Sequence, residues 1–150
     1  MSWDILIQDF PDVRSVDDIP DDFAPEPLGP RSEIIARVTT ALPAADFTDP
    51  AWGLVEGAGW SIELNLGSDD LCQSVMLHVR GGGDAVPAVA TVIDSLGARG
   101  IDMQTSEFFD VAAAQASFAE WQAYRDQVLD ENPPSDPSLP KRGFFSRLFG

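Results

Sequence analysis

Between Trp60 and Leu66 every second residue is apolar: Trp60, Ile62, Leu64 and Leu66 share one face of an extended chain, and Ser61, Glu63 and Asn65 share the other. The alternation returns over residues 72–80, where Val75, Leu77 and Val79 oppose Ser74, Met76, His78 and Arg80. Gly67-Ser68-Asp69-Asp70 between the two runs is turn chemistry, so together they predict an antiparallel hairpin with one buried face. The same period sets Trp3, Ile5 and Ile7 against Asp4, Leu6 and Gln8 in a first strand over 3–10 that stops at Pro11. A short strand over 52–55, closed by Gly57-Ala58-Gly59, and a last strand over 101–106 complete the set.

Elsewhere the apolar spacing lengthens to three and four. Ile34, Ile35, Val38 and Leu42 line one side of a helix over 32–42 that Pro43 ends. Asp84 is placed to cap a helix running to about Leu96, with Pro87 in its first turn and Gly97 as its stop. An alanine-rich helix over 111–129 carries Phe118, Trp121, Tyr124, Arg125 and Val128. Residues 17–30 hold four prolines among acids and should be extended and irregular, pinned to the body by Ile19, Phe23 and Leu28. The order β-α-β-β-β-α-β-α predicts an α+β two-layer sandwich, a mostly antiparallel sheet with helices packed on one face. Residues 1–131 form the expected single domain, 132–140 a proline-rich linker and 141–150 a separate tail.

Charge changes this picture more than composition does. The net charge is −16, with 25 acidic residues. Phosphate contacts need clustered basic side chains, so nucleic-acid binding by the body is not expected. One cysteine, Cys72, allows no internal disulfide and fits a reducing compartment. The start of the chain has no basic and long apolar signal pattern, and no run reaches the roughly 18 apolar residues of a membrane span. The expected location is cytoplasmic, with peripheral membrane contact open through the tail.

A single histidine excludes paired-histidine metal sites, and one cysteine excludes a cysteine cluster for zinc, so neither metal nor cofactor is expected. A Cys72–His78 nucleophile–base pair fails on reach, because six residues of one strand span about 20 Å. Glu63, Asn65, His78 and Arg80 share the polar face of the hairpin. They offer either a small acid–base or ligand site or a solvated face with cross-strand charge pairs. Arg80-Gly81-Gly82-Gly83-Asp84 lacks the phosphate-loop pattern and its lysine, and reads as a turn plus a cap. The acid pairs at Asp17-Asp18, Asp21-Asp22 and Asp69-Asp70 do not fit calcium-loop spacing. The acidic strip 17–26 reads as a solvated connector or a dock for a basic partner.

The last ten residues, KRGFFSRLFG, reverse the character of everything before them: Lys141, Arg142 and Arg147 stand there without a single acid. On a helix, Phe144, Phe145, Leu148 and Phe149 span an apolar arc of roughly 140°, with Arg142, Ser146 and Arg147 opposite. Lys141 projects toward the apolar side at the segment's end, where it can snorkel. This is the layout of an interfacial amphipathic helix.

The segment resembles the membrane-targeting sequence of the MinD family of cell-division ATPases: a basic pair, Gly, bulky apolar residues, a basic residue and Leu-Phe-Gly. The resemblance covers these ten residues only and implies a targeting role for Lys141, Arg142, Phe144, Phe145, Arg147, Leu148 and Phe149. The body has none of that family's nucleotide-binding motifs. Through IPDDFAPEPLGPRSEII, SIELNLG and LHVRGG it resembles a family of small acidic bacterial proteins, which implies no activity.

Three basic residues near an anionic leaflet supply about 1 kcal/mol each. Four large apolar side chains supply roughly 1.5–3 kcal/mol each when fully buried, and ordering ten residues costs on the order of 10 kcal/mol. One tail therefore binds weakly and reversibly. The linker, extended at about 3.1 Å per residue, holds it near 25 Å from the body, where salt screens much of the repulsion. The expectation is a non-enzymatic interaction module whose tail docks on a membrane surface or in a partner's groove. The alternatives are an acidic inhibitor or immunity-type protein that neutralises a basic partner, a small enzyme using the polar sheet face, and a tail that folds back on its own acidic body.

Overall fold

The computed structural model describes residues 2–81 and 84–112. In chain order the elements are β1 (Trp3–Gln8), a 3-10 turn (Val16–Asp18), β2 (Gly29–Pro30), α1 (Arg31–Ala41), β3 (Trp52–Gly57), β4 (Trp60–Asn65), β5 (Leu71–Cys72), β6 (Val75–Gly81), α2 (Ala85–Leu96), β7 (Arg99–Asp102) and β8 (Glu107–Phe108). The fold is α+β. A six-stranded sheet runs β3-β4-β6-β1-β7-β8, every neighbouring pair antiparallel, and two helices pack on it.

Strict alternation decides which face the helices cover. In β1, Trp3, Ile5 and Ile7 are fully buried while Asp4, Leu6 and Gln8 are half-buried. Ile62 and Leu64 in β4, and Val75, Leu77 and Val79 in β6, point the same way. Ile34 and Val38 of α1 and Val86, Val89, Val92 and Leu96 of α2 close the core over them. Burying the larger aliphatic side chains contributes about 1.5–3 kcal/mol apiece, which is why the sheet cannot slip register by one residue. The β4–β6 hairpin has the predicted faces, with Glu63 opposite His78 and Ser61 opposite Arg80. Gly97 ends α2 as expected, in the left-handed region at φ 60° with its N–H on the Asp94 carbonyl at 3.1 Å.

Three local expectations change. The strand expected over 72–80 is broken at Gln73–Ser74, and Leu71–Cys72 pairs with Gly29–Pro30 in a second, two-stranded sheet. The backbone N–H of Leu28 donates to the Cys72 carbonyl (2.8 Å), that of Arg31 to the Asp70 carbonyl (2.7 Å), and Arg31 Nη1 to the Gly67 carbonyl (3.0 Å). Contacts to the start of α1, distant in sequence, thus outweigh local alternation. The strand expected over 101–106 stops at Asp102. There the Asp102 carboxyl accepts the Gln104 N–H (2.9 Å), the Asp102 carbonyl accepts the Ser106 N–H (2.8 Å), and Ser106 takes φ 59° to turn the chain back as β8. Asp84 stands at the start of α2, but its side chain makes no capping bond and its backbone is already helical. Gly82, Gly83 and the helix expected over 111–129, past Ala112, lie outside the described residues.

The outer edge of β3 is guarded. The N–H and carbonyl of Leu54 exchange bonds of 2.9 and 2.8 Å with Asp46, and the Trp52 N–H reaches the Asp49 carbonyl at 3.1 Å. A covered edge offers little to a second strand. The Asp46 carboxylate accepts the hydroxyl (2.6 Å) and N–H (2.8 Å) of Thr48, and these bonds hold its pKa below the usual 3.8.

Candidate functional site

The face of the sheet opposite the helices, open among the described residues, carries the polar residues that the sequence singles out. Antiparallel pairing of β4, β6 and β1 puts Glu63, His78 and Asp4 side by side across three strands. His78 Nδ1 stands 2.9 Å from Asp4 Oδ1, and Ser2 donates its hydroxyl to the same oxygen at 2.6 Å. The Trp52 ring stacks on the imidazole, 5.6 Å between centroids and 15° from parallel. One row over, Arg80 Nη1 pairs with Glu63 Oε1 at 2.8 Å, diagonally across the ladder.

Glu63, His78 and Arg80 are therefore brought together, and Asn65 is not part of the group. Its side chain turns to accept the Gly67 N–H (3.1 Å), holding the end of the hairpin. Asp4, Ser2 and Trp52 join the site without having been singled out. Asp4 and Trp52 were legible as strand positions, but their neighbours depend on sheet order, which local periodicity does not encode.

Chemically, the cluster is closed on itself. A carboxylate on Nδ1 fixes the imidazole's orientation, as in many general bases. Asp4 and Glu63, however, already hold an imidazole and a cationic partner, and the next carboxylate on this face, Glu56, stands in the Ser61 row rather than beside the imidazole. Among the described residues there is no group of His, Cys, Asp and Glu arranged to hold a metal ion. Cys72 is remote from this chemistry: it is buried in the core, its thiol against the Leu66 (3.5 Å) and Ser74 (3.2 Å) carbonyls. Burial pushes that thiol up from the usual 9.0, partly offset by Ser74 and by Arg31.

The row beside the charged one is apolar. Register places Asn65, Met76, Leu6, Ile101 and Phe108 in line across the sheet, with Trp52 at the Asn65 end. Where this stripe meets the 67–74 loop there is a hollow of about 310 Å³ whose lining includes Leu6, Leu71, Met76 and Asp69. Leu71 is 47% exposed. At the far edge a second hollow of about 620 Å³ is lined by Arg14, Arg99, Phe108, Glu107 and Asp110. Arg99 is fixed there, with Nη1 donating to the Pro11 (2.7 Å) and Val13 (2.8 Å) carbonyls and its guanidinium 3.5 Å over the Phe108 ring.

On the helix side of the sheet, Asp102 is buried, and burial pushes its pKa up from the usual 3.8. The Trp3 indole N–H and the backbone N–H groups of Gln104 and Thr105 partly offset the rise, while Glu107 adds to it. The tail residues Lys141, Arg142, Phe144, Phe145, Arg147, Leu148 and Phe149 lie outside the described residues. A scan of the chain against protein-family models finds no match, and a search of curated proteins finds no relative. No helix among the described residues is long and apolar enough to cross a membrane.

Proposed function

We propose that this chain is a non-enzymatic interaction module that its segment Lys141–Gly150 attaches reversibly to an anionic membrane surface. The observation that carries the reading is the charge reversal: 25 acids and six arginines precede the segment, while the segment holds Lys141, Arg142 and Arg147 and no acid. Its aromatic and leucine side chains fall on one helical arc with the cations at its border, which suits the boundary between headgroups and acyl chains. The resemblance to MinD-type targeting sequences supports a membrane over a protein groove. The folded part supports an interaction role over catalysis, because Asp4, Glu63, His78 and Arg80 are engaged with one another in pairs.

The test is co-sedimentation of the full chain, and of a chain ending at Pro140, with mixed phosphatidylcholine–phosphatidylglycerol vesicles and with pure phosphatidylcholine vesicles. The full chain should pellet with the anionic vesicles only, and less as salt rises, because the attraction is screened beyond about 8 Å at physiological ionic strength. The shortened chain should stay in the supernatant. Equal pelleting of both chains, or none by either even when the segment is doubled on a dimeric carrier to gain avidity, refutes the proposal.

A further inference from the structure

The open sheet face and the segment 141–150 are complementary in shape and in charge. The apolar stripe Met76–Leu6–Ile101 crosses three adjacent strands, about 10 Å at the usual interstrand spacing. A ten-residue helix is about 15 Å long, enough to lie along that stripe and reach the hollow at its end. The hollow of about 310 Å³ has room for one aromatic ring over Leu6, Leu71 and Met76. Asp69, which lines it, has no ion-pair or hydrogen-bond partner among the described residues and Asp70 follows it in the chain, two acids against the one cation nearby, Arg31, whose Nη1 is held by the Gly67 carbonyl. The wider field agrees: without the segment's three cations the chain carries 6 − 25 = −19 against +3 in the segment. Reach is no obstacle. The described chain ends at Ala112, beside β8 at one edge of the same sheet. Residues 113–140 would span on the order of 40 Å even at the helical rise of about 1.5 Å each.

We propose that this stripe and hollow are the resting dock of the chain's own segment Lys141–Gly150, so that the body masks the segment until a membrane competes for it. The inference rests on the membrane reading for what releases the segment, but not for the dock itself. A docked form favoured tenfold lowers the apparent membrane affinity about tenfold. Such a dock shifts attachment to higher anionic lipid content than the segment alone requires.

The experiment uses methyl-labelled full chain and the chain ending at Pro140. Removing the segment should shift the Met76, Leu6 and Leu71 methyl signals, and the synthetic peptide Lys141–Gly150 added in trans should restore them. Leu71→Ser, at an exposed position, and Met76→Gln, on the open face, should abolish the peptide effect and raise vesicle binding of the full chain by about tenfold. Identical methyl spectra with and without the segment overturn the dock, whatever the vesicles show. Peptide-dependent shifts without vesicle binding uphold the dock and defeat the membrane reading instead. Shifts together with unchanged vesicle binding in both variants overturn the masking.

Discussion

Gly53 is a position where a single methyl group should disturb the guarded edge. It lies on the helix side of β3, and the Phe47 ring covers it so closely that an added Cβ would stand 2.3 Å from Cε1 and 2.6 Å from Cζ. Carbon atoms rest about 3.5–4.0 Å apart, so the ring must retreat by more than an ångström. Phe47 packs against the core, and its neighbour Asp46 makes both backbone bonds that cover Leu54. Gly53→Ala should therefore cost about 1–3 kcal/mol, the usual range for overpacking, and lower Tm by several degrees. Phe47→Leu leaves room for the methyl group at the cost of some ring contact. In a urea double-mutant cycle the pair should be less damaging than the sum of the singles, with a coupling of about 0.5 kcal/mol or more. Hydrogen exchange at the Leu54 amide should speed up in Gly53→Ala, because the displaced ring pulls Asp46 off the strand. Additive energies, or an unchanged Leu54 amide, would show that the ring does not lean on Gly53 and would refute the argument.

Asp102 should make stability fall with pH. Its raised pKa means the native state holds the proton more tightly than the unfolded chain, so the burial penalty is absent below the unfolded value near 3.8 and grows as pH rises through the native one. Asp102→Asn should gain stability relative to the parent across that window in urea titrations, and a pH-independent difference would contradict it. Asp46 has the opposite sign: its lowered pKa adds stability above the unfolded value that is lost as pH falls through the native one, and Thr48→Val should remove that dependence. Cys72, buried with a raised thiol pKa, should react with a disulfide reagent at mild alkaline pH only as fast as the core opens, roughly a hundredfold or more slower than in urea. The open-face pairs are partly exposed, so double-mutant cycles on Asp4–His78 and Glu63–Arg80 should return only about 0.2–1 kcal/mol each. A value several times larger would mean the face is covered in solution.

Much of the sheet was legible because burial on one face imposes a period of two, and Trp3, Ile5, Ile7, Ile62, Leu64 and Leu77 obey it without exception. The helices over Arg31–Ala41 and Ala85–Leu96 were legible for the same reason at a longer period, with Gly97 as punctuation. The breaks at Gln73 and Met103 were not. The first depends on Leu28 and Arg31 reaching Asp70 and Cys72, and the second on a carboxyl folding over its own turn. Nor did any pattern announce that Asp4 would meet His78, 74 residues away, or that Trp52 would stack on that ring.

The sequence by itself determined which side of β1, β4 and β6 would be apolar, where α1 and α2 would end, and that Lys141–Gly150 would differ in charge from all that precedes it. Those are local properties, readable from spacing and side-chain type. Only the tertiary structure decided the order β3-β4-β6-β1-β7-β8. That order put β1 between β6 and β7, closed Asp4 on His78, and lined up Met76, Leu6 and Ile101 as one apolar stripe. Strand neighbours are chosen by how whole faces pack under the helices, a sum over the entire core that no stretch of the chain contains.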